Sequence, residues 1–513
     1  MIYLDGSSLT LDELVAIAND FTTVSLTDTA RARVRAARAV VDEFADRETP
    51  TYGINTGFGS FAEVKIPHES LSQLQVNLLR SHAAGVGDPL PVPVVRATIA
   101  LRANVLAKGF SGIRLETLEL LVELLNRRVH PVVPSRGSVG ASGDLAPLAH
   151  IALVLIGEGE VSDVGPRQRH GAPVEAERGA GALARAGLSP LSLAPKEGLA
   201  LINGTQPSAA LLALALADAE RLTRVADIAA ALSIDGLQGS SHPFDPRIHA
   251  ARPFAGQHAS AENLRALLAD SGINAAHANC GRVQDAYSMR CAAQVHGAAR
   301  EACRFAHDVF SGEANAATDN PMVFADSHEI VSGGNFHGAP VAMAADLLCI
   351  GLAQLATISE RRSDRLVNPA LSGLPAFLTR HGGLHSGLMM AQVTAAALAS
   401  ELKTLAHPAS VDTIPTSGNK EDHVSMSMTA ALKAARAAEL ARSVIAIELL
   451  CASQAIDLLA PLRTSPPLAR VHAAIRARVS TLEEDRPPSN DIDGIAQLIE
   501  RGDLERACGV KVN

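Results

Sequence analysis

Residues 137–150 read GSVGASGDLAPLAH, and this stretch decides how the rest of the chain is read. Ala141, Ser142 and Gly143 are three small residues in a row. The backbone there can fold tightly back on itself, because Gly143 reaches unusual φ/ψ at little cost. A glycine-rich turn ahead of a helix ordinarily just turns or binds a phosphate. This one lacks the Lys-Ser/Thr ending of a P-loop. It is not a serine-hydrolase elbow either, since G-x-S-x-G needs glycine where Asp144 stands. Downstream, Asp144 is predicted to cap a helix that carries Pro147 in its first turn and runs through His150 to Ile156. The positive end of that helix then points at Ser142. Upstream, Leu118, Leu121, Val122 and Leu125 share one face of a helix over 115–128, which Pro131 and Pro134 end.

Composition sets the frame around this turn. A chain of 513 residues can bury a large core and hold several domains. Hydrophobic residues at 47% make it globular, and aromatics at 3% with no Trp favour helix over strand. The net charge of −9, with no basic stripe, argues against a nucleic-acid partner. Cys280, Cys291, Cys303, Cys349, Cys451 and Cys508 show no CxxC or Cys/His ligand spacing, which points to reduced thiols in a cytoplasmic protein without a metal site. The first residues have no basic n-region, so no signal peptide is expected. Apolar stretches such as 209–217 are too short to span a bilayer, and no membrane partner is expected. Stretches 282–309, 341–361 and 416–460 are free of proline, the last with an apolar stripe of Leu440, Val444, Ile447, Cys451 and Leu458. They predict long helices packed as a bundle. The polar run 166–182 reads as a surface excursion and 461–490 as a turn-rich connection. The expected division is 1–200, a central long-helix bundle over 201–460, and a C-terminal helical segment over 461–513.

Six more segments carry the argument to chemistry: TYGINTGFG (51–59), SHAAGVG (81–87), INGTQ (202–206), VQDAYSMRC (283–291), SGGNFHG (332–338) and NKEDHVSM (419–426). In this order, with the run at 137–150, they resemble the signature of the histidine and aromatic amino-acid ammonia-lyase family over most of the chain. The resemblance implies that Ala141-Ser142-Gly143 becomes a 4-methylidene-imidazol-5-one (MIO) group. The Gly143 amide nitrogen attacks the Ala141 carbonyl carbon, and loss of water closes a five-membered ring. Loss of the Ser142 hydroxyl as a second water leaves an exocyclic methylene, a carbon electrophile absent from ordinary side chains. No external cofactor and no metal are implied. The fold implied is mostly α, an aspartase/fumarase-like long helical bundle with a smaller N-terminal region, 1–200, bearing the group. A homotetramer whose active sites are shared between subunits is implied as well.

Eliminating ammonia from an α-amino acid means removing a weakly acidic β-proton and expelling a poor leaving group. Tyr52, in a glycine-rich loop, is the expected general base; a phenol titrates near 10 by itself, so the site must favour its anion. Arg290 is expected to hold the substrate carboxylate through its planar fork. Tyr287, three residues earlier on the same helix face, is expected to donate to the MIO or the amino group. Asn203 is expected to donate an amide N–H to the MIO oxygen, Gln284 to work near the amino group and Phe336 to pack over the MIO. For these three, loop hydrogen bonding or core packing is the alternative role. Substrate choice falls to Ser81-His82 and Glu421. An imidazole has one donor and one acceptor nitrogen. His82 would bond one ring nitrogen, and Glu421 would accept from the other or take the amino proton. Family members acting on phenylalanine or tyrosine usually carry Phe-Leu or His-Leu at the first pair and an amide in place of the carboxylate. An apolar ring would leave His82 and Glu421 unsatisfied, which is costly. The expected reaction is therefore L-histidine to trans-urocanate and ammonia, the first step of histidine degradation. A tyrosine or phenylalanine ammonia-lyase or an aminomutase of the same family is the near alternative. A lyase without MIO and a non-catalytic helical scaffold are the distant ones. Lys420, where the family usually has Gln, can pair with Glu421 or face away.

Overall fold

The computed structural model describes residues 1–162, 176–278 and 280–513. Among them the chain is mostly α-helical, with only short strands of two to four residues. Four helices are long: Gln206–Gly236, Ala292–Ala314, Ala339–Val367 and Ser427–Leu458. Alanine and leucine favour helix, and the prolines in these segments, Pro207 and Pro340, sit in the first turn, where no backbone N–H is missed. The expected stripe is present, with Leu440, Val444, Ile447 and Cys451 buried. The upstream helix runs Leu115–Asn126, with Leu118, Leu121, Val122 and Leu125 on its buried side.

Two local expectations change. The helix stops at Asn126, before the prolines expected to end it, and Pro131 and Pro134 lie in the short strands His130–Pro131 and Pro134–Arg136. The connection 461–490 contains the helix Pro466–Arg476, whose two leading prolines open it and whose Ser465 hydroxyl accepts from Leu468 N. A proline pair that looks like a breaker is thus a helix start. Of the polar run 166–182, residues 166–175 lie outside the described residues; Ala176–Arg178 is a strand and Gly179–Arg185 a helix.

The chain forms two compact units, each discontinuous in sequence. The first comprises Met1–Leu214, His307–Ala345 and Ala409–Leu432, and the second Ala215–Ala306, Asp346–Pro408 and Lys433–Asn513. In the first unit the helix Val92–Ala107 is buried on nearly every face, as at a core centre. It nevertheless carries Arg96 and Arg102, both fully buried. In the second unit the long helices are fastened by buried polar contacts. Ser233 Oγ donates to Glu448 Oε1 at 2.7 Å, Arg362 Nη2 to Glu448 Oε2 at 2.9 Å, and His296 Nδ1 lies 2.7 Å from Asp227 Oδ1.

Ala339–Val367 is long and apolar enough to cross a membrane by length and composition alone, unlike the shorter stretches the sequence singles out. Its apolar window is 67% buried inside the fold, as in a core helix. All six cysteines are free. Among the described residues, no cluster of His, Cys, Asp or Glu could hold a metal ion.

Candidate active site

The turn at 141–143 is held from behind by the INGTQ segment. Gly143 has φ +71°, and a Cβ on it would stand 2.2 Å from the Gly204 carbonyl oxygen, so only glycine fits. Asp144 N donates to that same oxygen at 2.8 Å. Asp144 occupies the N-cap position of the helix Leu145–Leu155, but its carboxylate makes no capping bond there. It is buried, and accepts instead from Ser138 Oγ at 2.6 Å and from Ser208 N at 2.9 Å. Ser208 lies in the first turn of Gln206–Gly236, so Asp144 satisfies an orphan N–H of a different helix. Burial pushes its carboxyl upward against these hydrogen bonds.

Glu421 organises the open side of the turn. Its Oε1 accepts from Ser142 Oγ at 2.7 Å, and its Oε2 from Thr416 Oγ1 at 2.6 Å and Ser417 Oγ at 2.8 Å. Burial raises the carboxyl, but the hydroxyls of Thr416, Ser142 and Ser417 and the charge of His82 outweigh it, holding the group below its ordinary 4.5. Thr416 and Ser417 were not legible as site residues; the only signal is a hydroxyl pair four to five residues ahead of a loop carboxylate. Lys420 is exposed and is not among the groups that set the charge of Glu421.

His82 closes the helix Leu71–His82, with Nδ1 2.9 Å from Leu78 O. A carbonyl only accepts, so Nδ1 carries the proton and Nε2 keeps its lone pair. Burial lowers the ring's titration, which favours this neutral form. Tyr52 sits in a loop pinned by the buried Asn55, whose Oδ1 accepts from Thr51 N at 2.6 Å and whose Nδ2 donates to Thr49 O at 3.0 Å. Here the structure reverses an expectation. Burial first, and then the charge of Glu421, raise the phenol above 10, against a Gly59 backbone N–H that favours the anion. The first unit by itself favours neutral Tyr52.

Asn203 caps the end of the helix Glu197–Ile202 and is 3% exposed. Its Nδ2 donates to Asn320 O at 2.9 Å and faces Asp319 Oδ1 at 3.4 Å, while its Oδ1 is buried without a partner. The amide hydrogens expected for the MIO oxygen are thus engaged elsewhere. Phe336 is half-buried two residues before Gly338, which packs against Ser427 and Ser425. Ser425 Oγ in turn donates to Gly140 O at 2.9 Å.

Gln284, Tyr287 and Arg290 belong to the second unit. Tyr287 and Arg290 share a face of the short helix Tyr287–Arg290, as the spacing predicts, with the guanidinium carbon 4.6 Å from the ring centroid. Tyr287 is 71% exposed, and Arg290 Nε is buried without a partner. Gln284 and Arg290 line an open cleft of about 460 Å³ with His277, Cys280 and Cys291. The sequence-derived set is therefore divided: Tyr52, His82, Ala141, Ser142, Gly143, Asn203, Phe336 and Glu421 lie in the first unit, the other three in the second.

The sequence pattern of the family described as "Aromatic amino acid lyase" matches residues 9–477. A histidine ammonia-lyase of Anaeromyxobacter sp. (strain K) is 57% identical over 98% of this chain and 99% of its own length. The crystal structure of histidine ammonia-lyase from Trypanosoma cruzi superposes with a TM-score of 0.91 at 45% identity, covering 99% of this chain and 95% of that one. Tyrosine aminomutase from Streptomyces globisporus superposes with a TM-score of 0.93 at 36% identity, covering all of both chains. The chain belongs to the aromatic amino acid lyase family.

Proposed function

We propose that this chain eliminates ammonia from L-histidine to give trans-urocanate, after Ala141-Ser142-Gly143 dehydrates to the MIO group. The observation that carries the substrate is the pair His82 and Glu421. His82 offers a neutral Nε2 lone pair near Glu421, whose ionised carboxylate accepts from Ser142 Oγ, so two acceptors stand at this turn. Two acceptors suit the N–H groups of an imidazole and an ammonium and are left unsatisfied by a phenyl ring. The histidine ammonia-lyase relatives support the same reading.

The residues present fit the group. Gly143 is held at positive φ where no side chain fits, in the tight backbone turn that ring closure needs. When formed, the group supplies a carbon electrophile at the Ser142 position. Around it, Glu421 stays ionised at neutral pH and takes a proton from the ammonium. Tyr52 takes the β-proton in its rare anionic form. Arg290 fixes the substrate carboxylate with Tyr287 and Gln284 beside it, and half-buried Phe336 excludes water. We also read the chain as a homotetramer with shared active sites, supported by the exposed Met343 and Ile350 on Ala339–Val367 and Met390 and Val393 on Met389–Leu405. The six free cysteines support a cytoplasmic location.

The test is a parallel ultraviolet assay with L-histidine, L-tyrosine and L-phenylalanine, with Ser142→Ala as control. Urocanate from histidine alone, lost in the variant, is expected. Cinnamate or coumarate as the main product would overturn the roles given to His82 and Glu421.

A further inference from the structure

Three buried charges in the first unit have no part in the chemistry above: Arg102, Lys196 and Asp319, none more than 1% exposed. All three converge on the helix Glu197–Ile202 and the Asn203-Gly204 step that ends it. Arg102 Nε donates to Ala200 O at 3.1 Å, and its Nη2 reaches the same oxygen. Its Nη1 donates to Asn203 O at 2.8 Å and Gln206 Oε1 at 2.9 Å. These carbonyls are among those a helix end leaves unsatisfied. Lys196 opens the same helix in the left-handed region, φ +68°, with Nζ 3.3 Å from Asp319 Oδ2. Asp319 Oδ1 accepts from Asn320 N at 2.7 Å and faces Asn203 Nδ2 at 3.4 Å.

The consequence appears at Gly204. A Cβ on Gly204 would stand 2.5 Å from Arg102 Nη1, and Gly204 O in turn fills the space beside Gly143. Guanidinium, Gly204 peptide and Gly143 are therefore in direct succession with no slack. Burial lowers Arg102 to about 10, so it remains a cation at neutral pH. A buried cation is tolerated only where its hydrogen bonds are met, which ties this loop to one geometry.

We propose that Arg102 and the Lys196–Asp319 pair are positioning residues for maturation of the triad: they brace Gly204 against Gly143 so that the 141–143 backbone cannot extend. This rests on the MIO reading. In ring closure a bond forms between Gly143 N and the Ala141 carbonyl carbon. The Ala141 oxygen leaves as water with the amide protons of Gly143 and Ser142. Ser142 Oγ then leaves as a second water with the Ser142 Cα proton, and no oxidant is needed. A loose brace slows closure by letting the attacking nitrogen drift; misplacement by about an ångström costs on the order of a hundredfold in rate.

The experiment measures the mass of the proteolytic peptide containing Ser142 in the full-length chain. Wild type is compared with Arg102→Met, Arg102→Lys, Asp319→Asn and the apolar double variant Lys196→Met/Asp319→Leu. Circular dichroism and size exclusion check the fold. Wild type is expected to have lost two waters. Folded Arg102→Met and the double variant are expected to retain both in most molecules, with Arg102→Lys between. Folded variants as fully dehydrated as wild type would overturn the brace. If Arg102→Met does not fold, Arg102→Lys and Asp319→Asn decide in the same way. A wild-type peptide that retains both waters would instead sink the MIO reading itself.

Discussion

Replacing Glu421 by Gln isolates the charge of the pocket while keeping its shape. Before maturation Glu421 accepts from Ser142, Thr416 and Ser417 at 2.6 to 2.8 Å; once the Ser142 hydroxyl has left as water, the Thr416 and Ser417 bonds remain. Both remaining donors are hydroxyls, which can rotate and accept from an amide N–H instead. The fold should lose only the difference between charged and neutral hydrogen bonds, about 1–2 kcal/mol. The effect on substrate is larger. A hydrogen bond from a substrate N–H to a charged acceptor contributes about 1.5–3 kcal/mol, or roughly 10- to 150-fold in kcat/KM at about 1.4 kcal/mol per decade. A proton-transfer role adds a further factor on the order of 10²–10⁴. Phenylalanine gains relative to histidine, because no unpaired carboxylate is left beside its ring. The assay is the initial rate of urocanate and of cinnamate formation, with melting temperature and the mass of the Ser142 peptide checked on the same sample. A variant with a matured peptide, kcat/KM for histidine within about twofold of wild type and an unchanged histidine-to-phenylalanine ratio would refute the reasoning.

The pH profile tests Tyr52: its phenol is raised above 10, so a rate that needs the phenolate climbs with pH through neutrality toward that value, and Tyr52→Phe abolishes the climb. A flat wild-type profile would give the base role to Glu421, which is ionised down to below 4.5. Arg290→Lys keeps the charge but loses the bidentate fork, and is expected to raise KM for histidine about 10- to 100-fold with a smaller change in kcat; an unchanged KM would remove Arg290 from carboxylate binding. Glu448→Leu strands the fully buried Arg362 and is expected to destabilise by about 3–5 kcal/mol, whereas Arg362→Met/Glu448→Leu recovers most of it. Equal losses in a denaturant melt of the single and double variants would show that the pair is not coupled.

The candidate residues were legible because they lie in short runs of fixed local order that resemble the family's motifs. Ala141-Ser142-Gly143, Tyr52, Glu421 and the Tyr287–Arg290 spacing are read from short runs, and the 4.6 Å contact of Arg290 with the Tyr287 ring follows from helical periodicity alone. The helix Leu145–Leu155 was legible too, but the use of Asp144 was not. Whether a carboxylate caps its own helix or another depends on which N–H arrives, and Ser208 N comes from 64 residues away. The same holds for Thr416 and Ser417, ordinary loop hydroxyls until Glu421 turns back between them. It holds for Arg102, whose partners Ala200, Asn203 and Gln206 lie 98 to 104 residues along the chain.

The sequence by itself determined the helical class and the long helices and singled out the candidate residues, because propensity, periodicity and motif spacing act within a few turns of chain. Only the tertiary structure decided the charge states and the fit. Tyr52 stays neutral, Glu421 stays ionised and Gly204 presses on Gly143, because burial and the approach of segments remote in sequence set each of these. Desolvation and close contact are properties of a place in the fold, and no run of residues carries them.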